Sequence, residues 1–327
     1  MIISKTPFRI SIFGGGSDFP QWYRENGGAV LSTAIDKYCY IQTRYLPPFF
    51  DYSYRIRYSF REEVNSINDI KHPSVRECIK FMKINKGLEM VHTGDIPAMS
   101  GIGSSSSFSV GFLNTLYALK GEMVSKRQLA LDAVNIEQNI IKEAVGSQDQ
   151  VVAAYGGFNR IEFGANDGFK VYPITIGRKK LDDLQNRLML FFTGFQRNSS
   201  EIAQEQIREI PKNKKQLGRM VEMVDEGIDI LNGSNLDDFG KLLHESWMIK
   251  RSLSSKITNP EIDNIYKKGL EAGALGGKLL GAGSGGCMIF IVRSEDQDKV
   301  REKLKNLVEI PFKFENEGSR IVYMSDV

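Results

Sequence analysis

PAMSGIGSSSSFSVG, residues 97–111, is the stretch on which the reading of this 327-residue chain turns. Gly101, Ile102 and Gly103 lead into four serines, Ser104, Ser105, Ser106 and Ser107, and then into apolar residues at helical spacing: Phe108, Phe112, Leu116 and Leu119. Side-chain-poor backbone that opens a helix presents unpaired N–H groups at the positive end of the helix dipole, which makes an anion cradle. A polar linker with a serine N-cap is the simpler alternative. A single cap, however, has no use for Gly101, Gly103 and the turn-setting Pro97. The stretch reads as a phosphate-binding loop.

Two more glycine-rich loops flank it at a distance, PFRISIFGGGSDFP (residues 7–20) and KLLGAGSGGCMIF (residues 278–290). Gly281, Gly283 and Gly286 spell a dinucleotide-binding pattern, but that pattern needs a helix after it. Here it runs into Met288 to Val292, which is strand-like. The N-terminal loop follows a strand and has Asp36 at a suggestive distance, yet Phe19 stands where a third glycine is required. No Walker A sequence occurs, and His244-Glu245 lacks the second histidine of a zinc protease because Met248 fills that position.

Composition narrows the class. The chain carries 43 basic and 40 acidic residues, interspersed and without a basic block, so a nucleic-acid partner is not expected. Cys39, Cys78 and Cys287 are odd in number and follow no metal-like spacing, which suits buried thiols in a reducing compartment. No apolar run approaches a membrane span and no leader pattern opens the chain, so a cytosolic protein without a membrane partner is expected.

Residues 2–13, 29–45 and 54–60 read as strands, and Ser125 with Gln128 forms a capping box for the next helix. The basic, polar run from Arg178 to Arg187 is the best candidate boundary, dividing the chain into 1–180 and 181–327. Beyond it come a strand at 188–192, several amphipathic helices, the third loop and two further strands. Strands and helices mix without strict alternation, so the class is α+β.

Two carboxylates and one cation stand out. Glu137 lies beside the core stripe of the helix that follows Gln128, where a glutamate is ordinarily solvated. Asp149, in Gly146-Ser-Gln-Asp-Gln, sits at a helix start, where the dipole alone justifies it. Arg9 is the natural counter-charge from the first strand. Asp18, after Gly14, Gly15, Gly16 and Ser17, suits a turn and equally suits a grip on sugar hydroxyls.

The three loops, in this order and spacing, resemble the signature set of the GHMP kinases. The resemblance spans nearly the whole chain. It implies two domains, an N-terminal one with a left-handed βαβ crossover and a C-terminal ferredoxin-like one, with the active site between them. It also implies ATP and Mg²⁺. By that likeness the middle loop holds the ATP phosphates, Ser104 or Ser105 with Glu137 holds Mg²⁺, Asp149 faces the acceptor hydroxyl and Arg9 supports it. Gly15, Gly16, Ser17 and Asp18 fix the sugar. Gly281, Gly283, Gly285 and Gly286 let the third loop pack on the phosphate loop.

The runs at 13–20, 27–37, 146–150, 193–202 and 243–260 are similar to bacterial heptose 7-phosphate kinases. They imply a sugar phosphate as the small-molecule partner and an anomeric acceptor oxygen, with Arg197 and Lys250 as cations for the distal phosphate. Ser17 replaces a threonine of the usual first motif, and Ser106-Ser107 replaces alanines; both changes read as neutral. A fucokinase-like or glucuronokinase-like sugar 1-kinase is the near alternative. A non-enzymatic sugar sensor is the distant one, and it is expected to have lost Asp149, Glu137 or the serine loop.

Overall fold

Buried and half-buried residues alternate at the start of strand Ile2–Phe13, and from Thr6 onward every residue is buried. Such a strand needs cover on both faces. The computed structural model, which describes residues 1–195, 199–233 and 235–325, supplies that cover from both parts of the chain. Helices Ser104–Leu119 and Gln148–Tyr155 pack on the strand from the first part, Lys214–Asn232 and Asp237–Ser252 from the second.

The strand pairs antiparallel with Gly28–Tyr45, whose 18 residues carry much of the first sheet. From this pair the sheet continues through Leu88–Gly94 to Tyr54–Arg57 and Arg61–Val64, while Phe158–Phe163 and Phe169–Pro173 extend it elsewhere. Tyr54–Arg57 and Leu88–Gly94 run parallel, joined by a crossover containing helix Pro73–Phe81. The second sheet is antiparallel throughout, in the order Val308–Glu309, Leu188–Phe192, Cys287–Val292 and Ala274–Leu279. The unit's last strand lies beside its first, and its third lies between first and second. That is the ferredoxin-like arrangement.

Two sequence expectations need correction. The run Arg178–Arg187, read as the boundary, is itself a helix: Leu184 is buried, and Arg178 pairs with Asp182 one turn on. A single cut after residue 180 falls inside that helix. It also fails to separate the sheets, because Phe314–Glu315 and Arg320–Met324 return to pair with the long second strand and the first strand.

The two parts meet on apolar surface. Phe13 and Phe239 pack edge to face at 5.1 Å. A Cβ on Gly227 would lie 2.7 Å from the Phe13 ring, so helix Lys214–Asn232 seats closely at that point. Burying each of the two phenylalanines contributes roughly 1.5–3 kcal/mol. The seam fixes the end of the first strand, and the cleft opens just beyond it.

Candidate active site

Helix Ser104–Leu119 starts after Gly103, which takes φ 76°. Its first internal bond runs from Ser107 N to Gly103 O at 2.9 Å. The amides of Ser104, Ser105 and Ser106 precede that bond and have no partner within the helix. These three residues line the cavity. Gly101, at φ 75°, is demanded twice over: its conformation is one L side chains rarely adopt, and a Cβ would sit 2.5 Å from Leu280 O. The third loop interlocks here. Cys287 N donates to Ser100 O at 2.8 Å, and a Cβ on Gly281 would lie 2.6 Å from Gly101 Cα. Gly283 and Gly285 meet backbone at Ile257 and Phe195, and Gly286 meets Ser100 O.

Arg9 forks onto Asp149, with Nε to Oδ1 and Nη2 to Oδ2 both at 2.7 Å, and gives Nη1 to Gly101 O at 2.6 Å. Such bidentate pairs fix orientation as well as charge. The arginine is 4% exposed, whereas the Asp149 side chain keeps 23% of its surface. Gly103 leaves room for this pair, since a Cβ there would come within 3.1 Å of Arg9 Cγ. A carboxylate held in this way beside the phosphate loop can accept the hydrogen of an acceptor hydroxyl and keep its oxygen facing a phosphoryl group.

Asp18 borders the same cavity and accepts from Gly16 N at 2.8 Å. Burial raises its pKa and the Asp149 charge adds to the rise, while bonds from Gly16 and Gln148 oppose it. Gly146 sits where a Cβ would overlap Asp18 Oδ2, so the N-terminal glycine loop and the segment leading into Asp149 touch directly.

Two buried lysines complete the wall. Lys250 Nζ donates to Gly281 O at 2.5 Å, and Lys278 Nζ to Ile12 O at 2.9 Å. Burial pushes Lys250 down to about 8, and the Arg9 charge pushes the same way. Lys278 is lowered as well, by burial first and by the Lys250 and Arg9 charges after it. The charged residues of the cavity wall are thus Arg9, Lys250 and Lys278 against Asp18 and Asp149. Arg9 and Asp149 cancel, and the surplus favours an anionic ligand.

Glu137 is fully buried in a π-helical turn, Ile136–Ile140, and burial raises its pKa to about 7. Its Oε2 accepts from Ser106 Oγ at 2.9 Å and from Gln150 Nε2 at 2.5 Å, while Oε1 has no hydrogen-bond partner. An orphaned carboxylate oxygen behind the phosphate loop fits a divalent cation that phosphates and water mostly hold. Among the described residues no cluster of three or more His, Cys, Asp or Glu forms a self-sufficient metal cage.

The structure therefore brings Arg9, Asp18, Gly101, Gly103, Ser104, Ser105, Ser106, Asp149 and Lys250 to one cavity, with Gly15, Gly16, Gly281, Gly283 and Gly285. It redirects others. Ser17 is fully buried, with its hydroxyl bonded to the carbonyls of Gly14 and Ala29, so it staples the turn rather than facing a ligand. Ser107 donates to Pro7 O, and the Ile102 side chain lies in the core while its carbonyl receives Arg9 N. The hydroxyl on Glu137 is that of Ser106, not Ser104 or Ser105, so the substitution read as neutral has a specific partner. Arg197 lies outside the described residues. Sequence reasoning missed Lys278, Ser11 and Gln148, all on the cavity wall. A lysine inside the otherwise uncharged strand ALGGKL was the available signal for the first of them.

Comparison with known proteins bears on this geometry. Residues 73–157 match the GHMP kinases N terminal domain and residues 228–310 the GHMP kinases C terminal model, together just over half of the chain. A D-glycero-alpha-D-manno-heptose 7-phosphate kinase of Campylobacter jejuni is 29% identical over 89% of each chain. A galactokinase of Pyrococcus furiosus is 27% identical over 92% of this chain and 90% of its own. The crystal structure of a D-glycero-D-manno-heptose 1-phosphate kinase from Bacteriodes thetaiotaomicron superposes over 100% of both chains with a TM-score of 0.79 at 23% identity, a likeness of fold. No helix among the described residues is long and apolar enough to cross a membrane.

Proposed function

The chain belongs to the GHMP kinase family and is an ATP-dependent sugar kinase, and we propose that its acceptor is the anomeric hydroxyl of D-glycero-D-manno-heptose 7-phosphate. The observation that carries the phosphorylated acceptor is the pair of buried lysines, Lys250 and Lys278, on the wall that also holds Asp18 and Asp149. Two buried amines whose hydrogen bonds go only to backbone carbonyls favour an acceptor that brings its own negative charge, as a sugar phosphate does.

The amides of Ser104, Ser105 and Ser106 hold the ATP phosphates. Glu137, bonded to Ser106, would hold Mg²⁺, which would supply counter-charge to the nucleotide phosphates. Asp149 aligns the acceptor oxygen, which forms a bond to the γ-phosphorus as the bond to the β,γ-bridging oxygen breaks and ADP leaves. The hydroxyl proton passes to Asp149 or from it to solvent. Arg9 holds the carboxylate in position, and Asp18 takes sugar hydroxyls. The three cysteines are free and buried, which fits the reducing, cytoplasmic setting we assign.

The test is a substrate screen with ATP and paired phosphorylated and free sugars, read by product mass. The heptose 7-phosphate should gain one phosphoryl group and the unphosphorylated heptose should react poorly. A preference for a free hexose overturns the assignment in favour of a fucokinase-like or glucuronokinase-like activity.

A further inference from the structure

Several buried side-chain polar atoms in the described residues lack a hydrogen-bond partner, and of these only Ser11 Oγ and Gln148 Oε1 belong to cavity-lining residues. The two residues are 5% and 7% exposed. Unpaired polar atoms in a core are costly, and those on residues that line a ligand cavity have a partner to wait for. They also converge. A Cβ built on Gly15 would lie 3.2 Å from Ser11 Oγ and 3.7 Å from Gln148 Nε2, so both side chains border one space kept open by a residue that has no side chain.

We propose that Ser11 and Gln148 together read the sugar hydroxyl on the carbon next to the phosphoryl acceptor. The proposal rests on the sugar-kinase reading above. Its chemistry follows from the two atoms. An amide oxygen only accepts, whereas a serine hydroxyl donates or accepts. Among the groups of a sugar phosphate only an O–H satisfies both: it donates to Gln148 Oε1 and exchanges a bond with Ser11, whereas a phosphate or carbonyl oxygen leaves the amide oxygen unmet. Its position follows from the neighbours. Ser11 shares a strand face with Arg9, two residues earlier. Gln148 directly precedes Asp149, the group Arg9 grips. A hydroxyl between Ser11 and Gln148 therefore lies beside the one that Asp149 aligns.

The experiment compares kcat/KM for the sugar that the wild-type enzyme phosphorylates with that for its counterpart lacking the adjacent hydroxyl, a 2-deoxy sugar for an anomeric acceptor. Wild type, Ser11→Ala, Gln148→Met and the double variant are measured. A site built to bond a hydroxyl rejects the deoxy analogue strongly, so the wild-type penalty should be roughly a hundredfold or more. In the double variant it should shrink to less than about threefold, with KM for ATP within about twofold of wild type. Gln148→Met keeps length and shape; if it nevertheless fails to fold, Ser11→Ala alone must cut the penalty by about tenfold. No penalty in the wild type overturns the proposal, as does an equal penalty in all four proteins. If the wild type phosphorylates no sugar at all, it is the sugar-kinase reading that falls, and this inference falls with it.

Discussion

Around Gly101 the cavity wall is backbone, whereas around Lys250 it is side chain. On the phosphate side, positive-φ glycines and the first amides of a helix do the binding, and the third loop is pressed so closely against them that no Cβ fits between Gly101 and Leu280 O. On the acceptor side, Asp18, Ser11, Gln148, Lys250 and Lys278 come from four separate segments and are buried with incomplete or backbone-only partners. The first wall suits a ligand part that never changes, because amides recognise any phosphate. The second suits discrimination, because buried side chains differ from one another in charge, shape and hydrogen-bonding capacity.

Asp149 stands at the junction of the two walls, and its loss should have the largest effect. Asp149→Asn keeps the shape but removes the charge that Arg9 grips through two bonds. We expect kcat to fall by at least about a hundredfold with KM for ATP changed less than about twofold. Steady-state kinetics in both substrates decide it. Near-normal turnover places the reacting oxygen elsewhere and breaks the division of the cavity drawn here.

The next largest effect separates strain from contact on the backbone wall. Gly101→Ala adds a left-handed alanine, costing about 1–2 kcal/mol, and drives its Cβ to 2.5 Å from Leu280 O. Gly121, at φ 73°, has nothing within 4 Å of its Cβ and so supplies a control with the strain alone. Thermal unfolding should register both variants. ATP affinity, by titration, should drop at least about tenfold only in Gly101→Ala, since one tenfold step needs ~1.4 kcal/mol. Equal ATP affinity in the two variants removes the case for an interlocked phosphate loop.

The backbone wall was legible from sequence because positive φ and close approach are spelled by one residue type. Gly101, Gly103 and the third-loop glycines could be read directly. The side-chain wall was not. Ser11 and Gln148 are ordinary polar residues whose significance comes from burial without a partner, which only tertiary structure creates. Ser17 shows the converse error: its hydroxyl looked ligand-facing and is used up on two carbonyls. Glu137 occupies a helix-edge position that is ordinarily solvated, yet it is 0% exposed because the chain between it and Asp149 folds back and sets Gln150 against it. Helix Arg178–Arg187 escaped for a third reason. Its charges sit on exposed faces, and Leu184 is its one buried residue, too little periodicity to announce a helix.

The smallest expected effect is a drift with pH, and it sharpens the contrast because only the side-chain wall titrates. Lys250 is pushed down to about 8 by burial and by Arg9, with Asp18 and Asp149 pulling the other way. Below that value the lysine is an ammonium and attracts an anionic acceptor; above it the charge is lost. KM for a phosphorylated sugar should therefore be flat near neutrality and climb as pH passes ~8, by at most about tenfold per pH unit. A bound dianion favours the charged lysine, so kcat should begin to fall at a higher pH than kcat/KM does. KM for ATP, gripped by amides, should not follow the same curve. Lys250→Arg keeps its charge throughout this range and should abolish the drift. If the drift persists in Lys250→Arg, or appears equally with an uncharged sugar, the acceptor phosphate is not what Lys250 meets.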